Sequence, residues 1–364
     1  TDFAQLMAMM AVAILIIPAV LFALGGPQTL SDGMSLLTPE QADLFSMDAI
    51  LKQGAPFFVA VLAYAIGNQT ISQRLFAVRE DHIKPTFITA TIGYGAIVIG
   101  LGMIGLMALM TGMKPIDGDM NNLIPQMVSM YLSPVFIGLF FILVIGSLSS
   151  TADSDLSAMS AIVMADVYGK NIAKNKPDPT KMLFIGRLTM IVATLIGVIL
   201  ASFSMDILIM LVFVGALWGA IVFPVIASCF WDRVTNLAFT SAVIAGLLMF
   251  CVARFELLPM AGFIAVLFEL LAAVGGGVVL GLMTFGFCGR RVGLIVGALS
   301  AIGLAFLCVG FLRDYTVLLA SLMAYGVSTL VCIAVSLLGS SKFDFAQIDQ
   351  NVINYDPAKT EAQA

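Results

Sequence analysis

A single histidine, His82, among 364 residues leaves no material for a histidine-ligated metal or a nucleophile–histidine pair. The five cysteines (Cys229, Cys251, Cys288, Cys308 and Cys332) fall in or at the ends of apolar runs without a C-x-x-C pair. They read as small apolar helix residues, so neither disulfides nor a bound metal are expected from them. Charge is equally scarce: 11% of the residues are Asp, Glu, Lys or Arg, against ~25% in a soluble domain. No phosphate-cradling glycine loop and no nucleophile elbow occurs. The absence of a nucleophile–base or metal-ligand set argues against an enzyme.

Apolar residues fill the space that charge leaves, at 60% of the chain. Uncharged runs of membrane-spanning length recur, whereas the short alternating segments of a transmembrane barrel do not. The chain is therefore expected to be an all-α integral membrane protein with about ten transmembrane helices. The spans are placed at 3–26, 55–73, 85–112, 131–152, 188–205, 207–231, 234–253, 257–288, 292–312 and 315–339. With the loop after Val78 in the cytoplasm, all Lys and Arg face inward except Lys52, Lys114, Arg254 and Arg313. That asymmetry puts both ends of the chain in the cytoplasm, in a cytoplasmic (inner) membrane. A net charge of −5 gives no reason to expect nucleic acid as a partner. The absence of a basic region before the first apolar run, and that run's length, argue against a signal peptide. A start at Thr1-Asp2, directly at the head of an apolar helix, reads as a start inside a larger protein.

The densest polar pattern is Gly146-Ser-Leu-Ser-Ser-Thr-Ala-Asp-Ser-Asp-Leu-Ser157, behind a run from Tyr131 to Ile145 that has no charge. Ser147, Ser150, Thr151 and Ser154 recur at i, i+3, i+4 and i+7 and so share one helix face. Hydroxyls are costly in hydrocarbon unless satisfied, and a hard cation such as sodium seeks oxygen ligands. The competing reading is a capping box, Ser150-Thr-Ala-Asp153, at a helix start. In span 55–73, Gly67-Asn68-Gln69-Thr70 lies near mid-membrane depth, which suits a broken helix whose freed backbone lines a cavity. The alternative there is a helix that leaves the membrane early, capped by Asn68 and Gln69. Glu269, the one carboxylate deep in a span, reads as a protonated or hydrogen-bonded packing residue, with an ion-pathway role as the alternative. Gly275, Gly276, Gly277 and Gly281 form a small-xxx-small pattern suited to close helix packing.

Two stretches resemble the sodium/solute symporter family. Asn68-Gln69-Thr70-Ile71-Ser72-Gln73-Arg74 is similar to that family's N-Q-x-x-x-Q-R. Ser149-Ser150-Thr151, followed by Ser157, Ser160 and Asp166-Val167-Tyr168, is similar to its S-S run ending in D-[IV]-Y. Their order, their spacing and a Trp-Asp-Arg exit at Trp231 extend the resemblance over roughly residues 1–253.

The resemblance implies a LeuT-type five-plus-five inverted-repeat transporter fold working by alternating access. Residues 1–26 would be the fifth core helix, 55–231 the second repeat, 232–339 peripheral helices and 340–364 a polar cytoplasmic tail. The first core helices would then be supplied by the same or another chain. Ser150 and Thr151 match hydroxyl ligands of the family's main sodium site, with Ser147 adding a carbonyl. Asp2, Asp153 and Ser154 fall where some members have a second sodium site, and the carboxylate of Asp153 could carry a proton instead. Tyr64 matches an inner gate over the solute, beside Val61, Asn68, Gln69, Leu211 and Trp218. Val61 and Leu211 replace hydrogen-bonding residues of the sugar carriers, which disfavours a hexose. The expected function is sodium-coupled symport of a small polar solute such as an amino acid, a short carboxylate or urea, with membrane lipid as surroundings. Two alternatives keep the fold: a proton-coupled carrier, in which Asp153 or Glu269 titrates, and a truncated or sensor-type module without transport of its own.

Overall fold

The computed structural model describes residues 2–346 except 44, 175, 177 and 204–206, and leaves undescribed the side chains of 2–4, 29, 40, 207–209, 212 and 216. Twelve helices matter for function. In chain order they are α1 (Asp2–Ala23), α2 (Ala55–Gly67), α3 (Gln69–Phe76), α4 (Glu80–Met110), α5 (Leu123–Tyr131) and α6 (Pro134–Ile162). They continue with α7 (Pro179–Ala201), α8 (Ile207–Phe230), α9 (Asn236–Arg254), α10 (Gly262–Cys288), α11 (Arg290–Cys308) and α12 (Thr316–Leu338). Among the described residues, ten helical segments are long and apolar enough to cross a membrane. Helix is the form such runs must take, because each backbone N–H and C=O is then satisfied within the segment. The junction between the spans expected at 188–205 and 207–231 and most of the tail after Ser340 lie outside the described residues.

Two spans differ from their expected bounds. The segment expected at 131–152 starts at Pro134 and runs on through Ile162, then continues in π-helical turns over Val163–Ile172. The polar stripe therefore sits inside a long helix rather than at its end, and the capping-box reading of Ser150–Asp153 falls away. The segment expected at 55–73 begins earlier, with π-helical turns over Ile50–Gly54, and stops at Gly67. Asn68 is extended (φ −77°, ψ 122°), and α3 starts at the next residue. The helix is thus interrupted where the glycine-amide sequence suggested.

The chain forms two compact units, one from residues up to Ser46 together with Gln69–Ile207, the other from Met47–Asn68 together with residues from Leu208 onward. In the first, Ala13, Ile16 and Val20 of α1 meet Ile104 and Ala108 of α4, Met127 and Val128 of α5, and Leu143 of α6. The opposite side of α1 exposes Ile14, Leu15 and Phe22, an apolar outer surface that suits lipid.

The second unit is centred on α12, whose Leu319, Ala320, Met323, Ala324 and Tyr325 are fully buried. It packs on α9, α10 and α2. The glycines of α10 permit this: a Cβ on Gly275 would collide with the Leu322 carbonyl of α12. Likewise a Cβ on Gly277 would stand 2.6 Å from the Gly297 carbonyl oxygen of α11. The small-residue pattern therefore serves backbone-to-backbone approach on two sides of α10. Tyr325 donates its hydroxyl to the Val59 carbonyl of α2 at 2.8 Å.

Glu269 is a hydrogen-bonded packing residue of this unit, fully buried. It accepts from the backbone N–H groups of Gly310 (2.9 Å) and Arg313 (3.2 Å). The Arg313 guanidinium adds Nε at 3.2 Å and Nη2 at 3.3 Å. Four donors on one carboxylate fasten α10 to the turn before α12.

Candidate ion and solute sites

The stripe on α6 solves its solvation problem locally. The Thr151 hydroxyl donates to the Ser147 carbonyl at 3.1 Å, and the Ser154 hydroxyl to the Ser150 carbonyl at 2.9 Å. Thr189, Thr194 and Ser321 do the same elsewhere, each with the carbonyl four residues back. A hydroxyl bonded this way spends its proton and keeps its oxygen lone pairs. At Ser147 and Thr151 this leaves two oxygens 3.1 Å apart on one helix face. Two such oxygens can share one cation at ~2.4 Å each, at an O–cation–O angle of ~80°, within the range hard cations accept. Ser150 adds a third oxygen on the same face, half-buried, whereas Ser147 and Thr151 are exposed within this unit. Helix α1 runs alongside: a side chain on Gly146 would meet Met9 at 3.8 Å. Asp2 opens α1, but its side chain lies outside the described residues. Asp153 is exposed.

Sequence spacing did not reveal the partner of Ser154. Arg74, in the last turn of α3, donates Nη2 to Ser154 Oγ at 2.7 Å, eighty positions away in sequence. The oxygen of Ser154 thus already serves a cationic group, while Ser147, Ser150 and Thr151 are one turn removed from it. The signal available in the sequence was Arg74 itself, the closing residue of the N-Q-x-x-x-Q-R run. Which hydroxyl it would reach was not legible, because that depends on how α3 packs on α6.

In the second unit, α2 and α8 bring together Tyr64 and Trp218, whose rings meet edge-on with centroids 6.0 Å apart. The Trp218 indole lies against the Cα of Gly67, so closely that any Cβ there would collide with it. Gly67 is therefore required for the approach of the indole as well as marking the helix end. Asn68, buried at 5% exposure, donates its N–H to the Tyr64 carbonyl at 2.9 Å as the helix stops. Gln69 belongs to the first unit and is exposed, as are Val61 and Leu211 in the second. The described residues hold no group of three or more His, Cys, Asp or Glu able to bind a metal ion.

The family model that matches this chain, over residues 1–246, is that of the sodium:solute symporter family. The chain is 22% identical over 252 residues to a sodium/pantothenate symporter of Haemophilus influenzae, covering 68% of this chain and 52% of that protein. It is 24% identical over 260 residues to a high-affinity proline transporter of Bacillus subtilis, again covering 68% and 52%. The chain spans about half the length of these curated relatives. No solved structure matches it.

Proposed function

This chain belongs to the sodium:solute symporter family, and from that premise we propose that it takes part in sodium-coupled symport of a small polar organic solute by alternating access. The observation that carries the reading is the oxygen face of α6. Ser147 O, Ser150 Oγ and Thr151 Oγ1 would supply part of a sodium shell, with water or other oxygens completing it. Asp2, Asp153 and Ser154 are proposed as a second sodium or proton site. Ser154 is its weakest member, because a guanidinium beside its oxygen opposes a second cation.

Tyr64 and Trp218 would close over the solute, with Asn68 and Gln69 offering polar contacts at the helix break and Val61 and Leu211 an apolar wall. The named relatives carry pantothenate and proline, a carboxylate and an amino acid. Those fit the class of solute proposed for this chain, and its chemistry is transport rather than catalysis. The driving force suffices: one charge crossing 100 mV supplies ~2.3 kcal/mol, and a tenfold sodium gradient adds ~1.4 kcal/mol. Their sum concentrates a neutral solute several hundredfold.

The test is uptake of labelled proline and pantothenate by proteoliposomes, with sodium against choline outside. The reading requires uptake that collapses in choline. In Ser150→Ala/Thr151→Ala, the sodium concentration for half-maximal uptake should rise at least tenfold. An unchanged sodium dependence in that variant would remove the site assignment, and uptake indifferent to choline would favour the proton-coupled carrier.

A further inference from the structure

The second unit contains a cavity of about 520 Å³ between α8, α10, α11 and α12, sharing no residue with the Tyr64–Trp218 pair. Its wall is almost wholly apolar, with Phe230 and Phe285 among the larger side chains. The glycine contacts of α10 with α11 create it: where backbones touch, no side chains remain to fill the adjoining space. Helix α11 is otherwise thinly covered and presents Leu294, Leu299 and Ile302 on its outer surface.

The two ends of α11 differ chemically. Arg290, its first residue, lines the cavity, and Arg291 follows. Trp231, which closes the same end from α8, also lines it. No described acid pairs with either arginine, and Asp232, which follows Trp231 in sequence, is engaged by Lys342 at 3.5 Å. An apolar groove with an uncompensated cation and an indole at one end complements one kind of molecule. Its tail is hydrocarbon, its head is anionic, and its polar boundary lies where amphipathic aromatic rings settle.

We propose that this groove binds an anionic phospholipid, with one acyl chain between α8, α10, α11 and α12 and the phosphate on Arg290. The lipid would act as a packing element of the second unit, completing a wall that the glycine contacts leave open. Thr329 of α12 separates this occupant from a polar ligand. It lines the cavity, is 4% exposed, and its hydroxyl has no partner among the described residues. A hydrocarbon chain makes no use of that hydroxyl, whereas a ligand with a polar group at mid-groove would.

The chain has two tryptophans, so Trp218→Phe leaves Trp231 as a single reporter at the mouth of the groove. The full chain is reconstituted in phosphatidylcholine containing a small fraction of brominated phosphatidylglycerol or brominated phosphatidylcholine, and quenching of Trp231 is followed. Brominated phosphatidylglycerol should quench about fivefold more effectively per mole than the choline lipid, the preference one arginine confers near a membrane surface. Arg290→Gln should abolish that preference. Ala298→Phe, placing a ring in the groove wall, should reduce quenching by both lipids, while Thr329→Val should leave both unchanged. Equal quenching by the two lipids in the parent protein, which needs no groove variant, would overturn the proposal. So would a preference that survives Arg290→Gln, or quenching lost in Thr329→Val, which would indicate a ligand held by a polar group.

Discussion

A hydroxyl in a hydrocarbon layer can satisfy its proton on the carbonyl one turn back, and Thr151, Thr189, Thr194 and Ser321 all do. What separates Thr151 is its company: Ser150 sits on the same face as the Thr151–Ser147 pair, so three oxygens lie where each of the other pairs offers two. Tyr64 belongs to a different unit and should behave differently. Tyr64→Ala is expected to impair solute uptake while leaving the sodium concentration for half-maximal uptake largely intact. Gly67→Ala should act like it, lowering uptake about tenfold (~1.4 kcal/mol), because its methyl would displace the Trp218 indole that Tyr64 abuts. A sodium requirement raised by either variant would contradict the division between ion face and gate.

At the scale of elements, the second unit depends on two fastenings of different kinds. The carboxylate clamp is electrostatic. Glu269→Gln leaves Arg313 beside a group that cannot balance its charge, and with Arg313 35% exposed the loss should fall near ~3 kcal/mol. Removing both charges in Glu269→Gln/Arg313→Met should cost less than the sum of the single changes, measured as a double-mutant cycle on thermal unfolding in detergent. The glycine contacts are steric. Gly277→Leu should destabilise by about 1–3 kcal/mol by forcing α10 from α11. Gly286→Leu on the same helix, where a Cβ meets nothing within 4 Å, should be nearly neutral.

Much of this was legible beforehand. Ten apolar runs can only become helices in lipid, the break at Asn68 followed from Gly-Asn-Gln at mid-span, and the glycines of α10 announced close packing. The continuation of α6 past Ser157 was missed because polar residues there looked like a helix end, although nothing in them breaks a helix. The pairings Arg74–Ser154 and Glu269–Arg313 were also missed, since contacts across dozens of residues leave no local signature. A five-plus-five repeat is a relation of topology and remains part of the proposal.

For the molecule as a whole, the distribution of Lys and Arg gives an expected orientation that labelling can check. In a variant with the five native cysteines replaced, a single cysteine at Asp117 should react with a membrane-impermeant maleimide added to intact cells. One at Lys342 should react only after the cells are opened. The reverse pattern would invert the topology and place the basic loops outside. Neither unit is continuous in sequence, and this shapes the order of events at the ribosome. Helix α2 is made early, yet α8 and α12, the helices it touches, follow only after roughly 140 residues that build the other unit. At ~5–20 residues per second that is a wait of about 7–30 s. During it the face of α2 around Val59 and Ala63 has not yet met Tyr325 and its neighbours. The newborn chain thus carries an unmatched helix in the bilayer, and that interval is when an insertase or quality-control protease would have its best access to it.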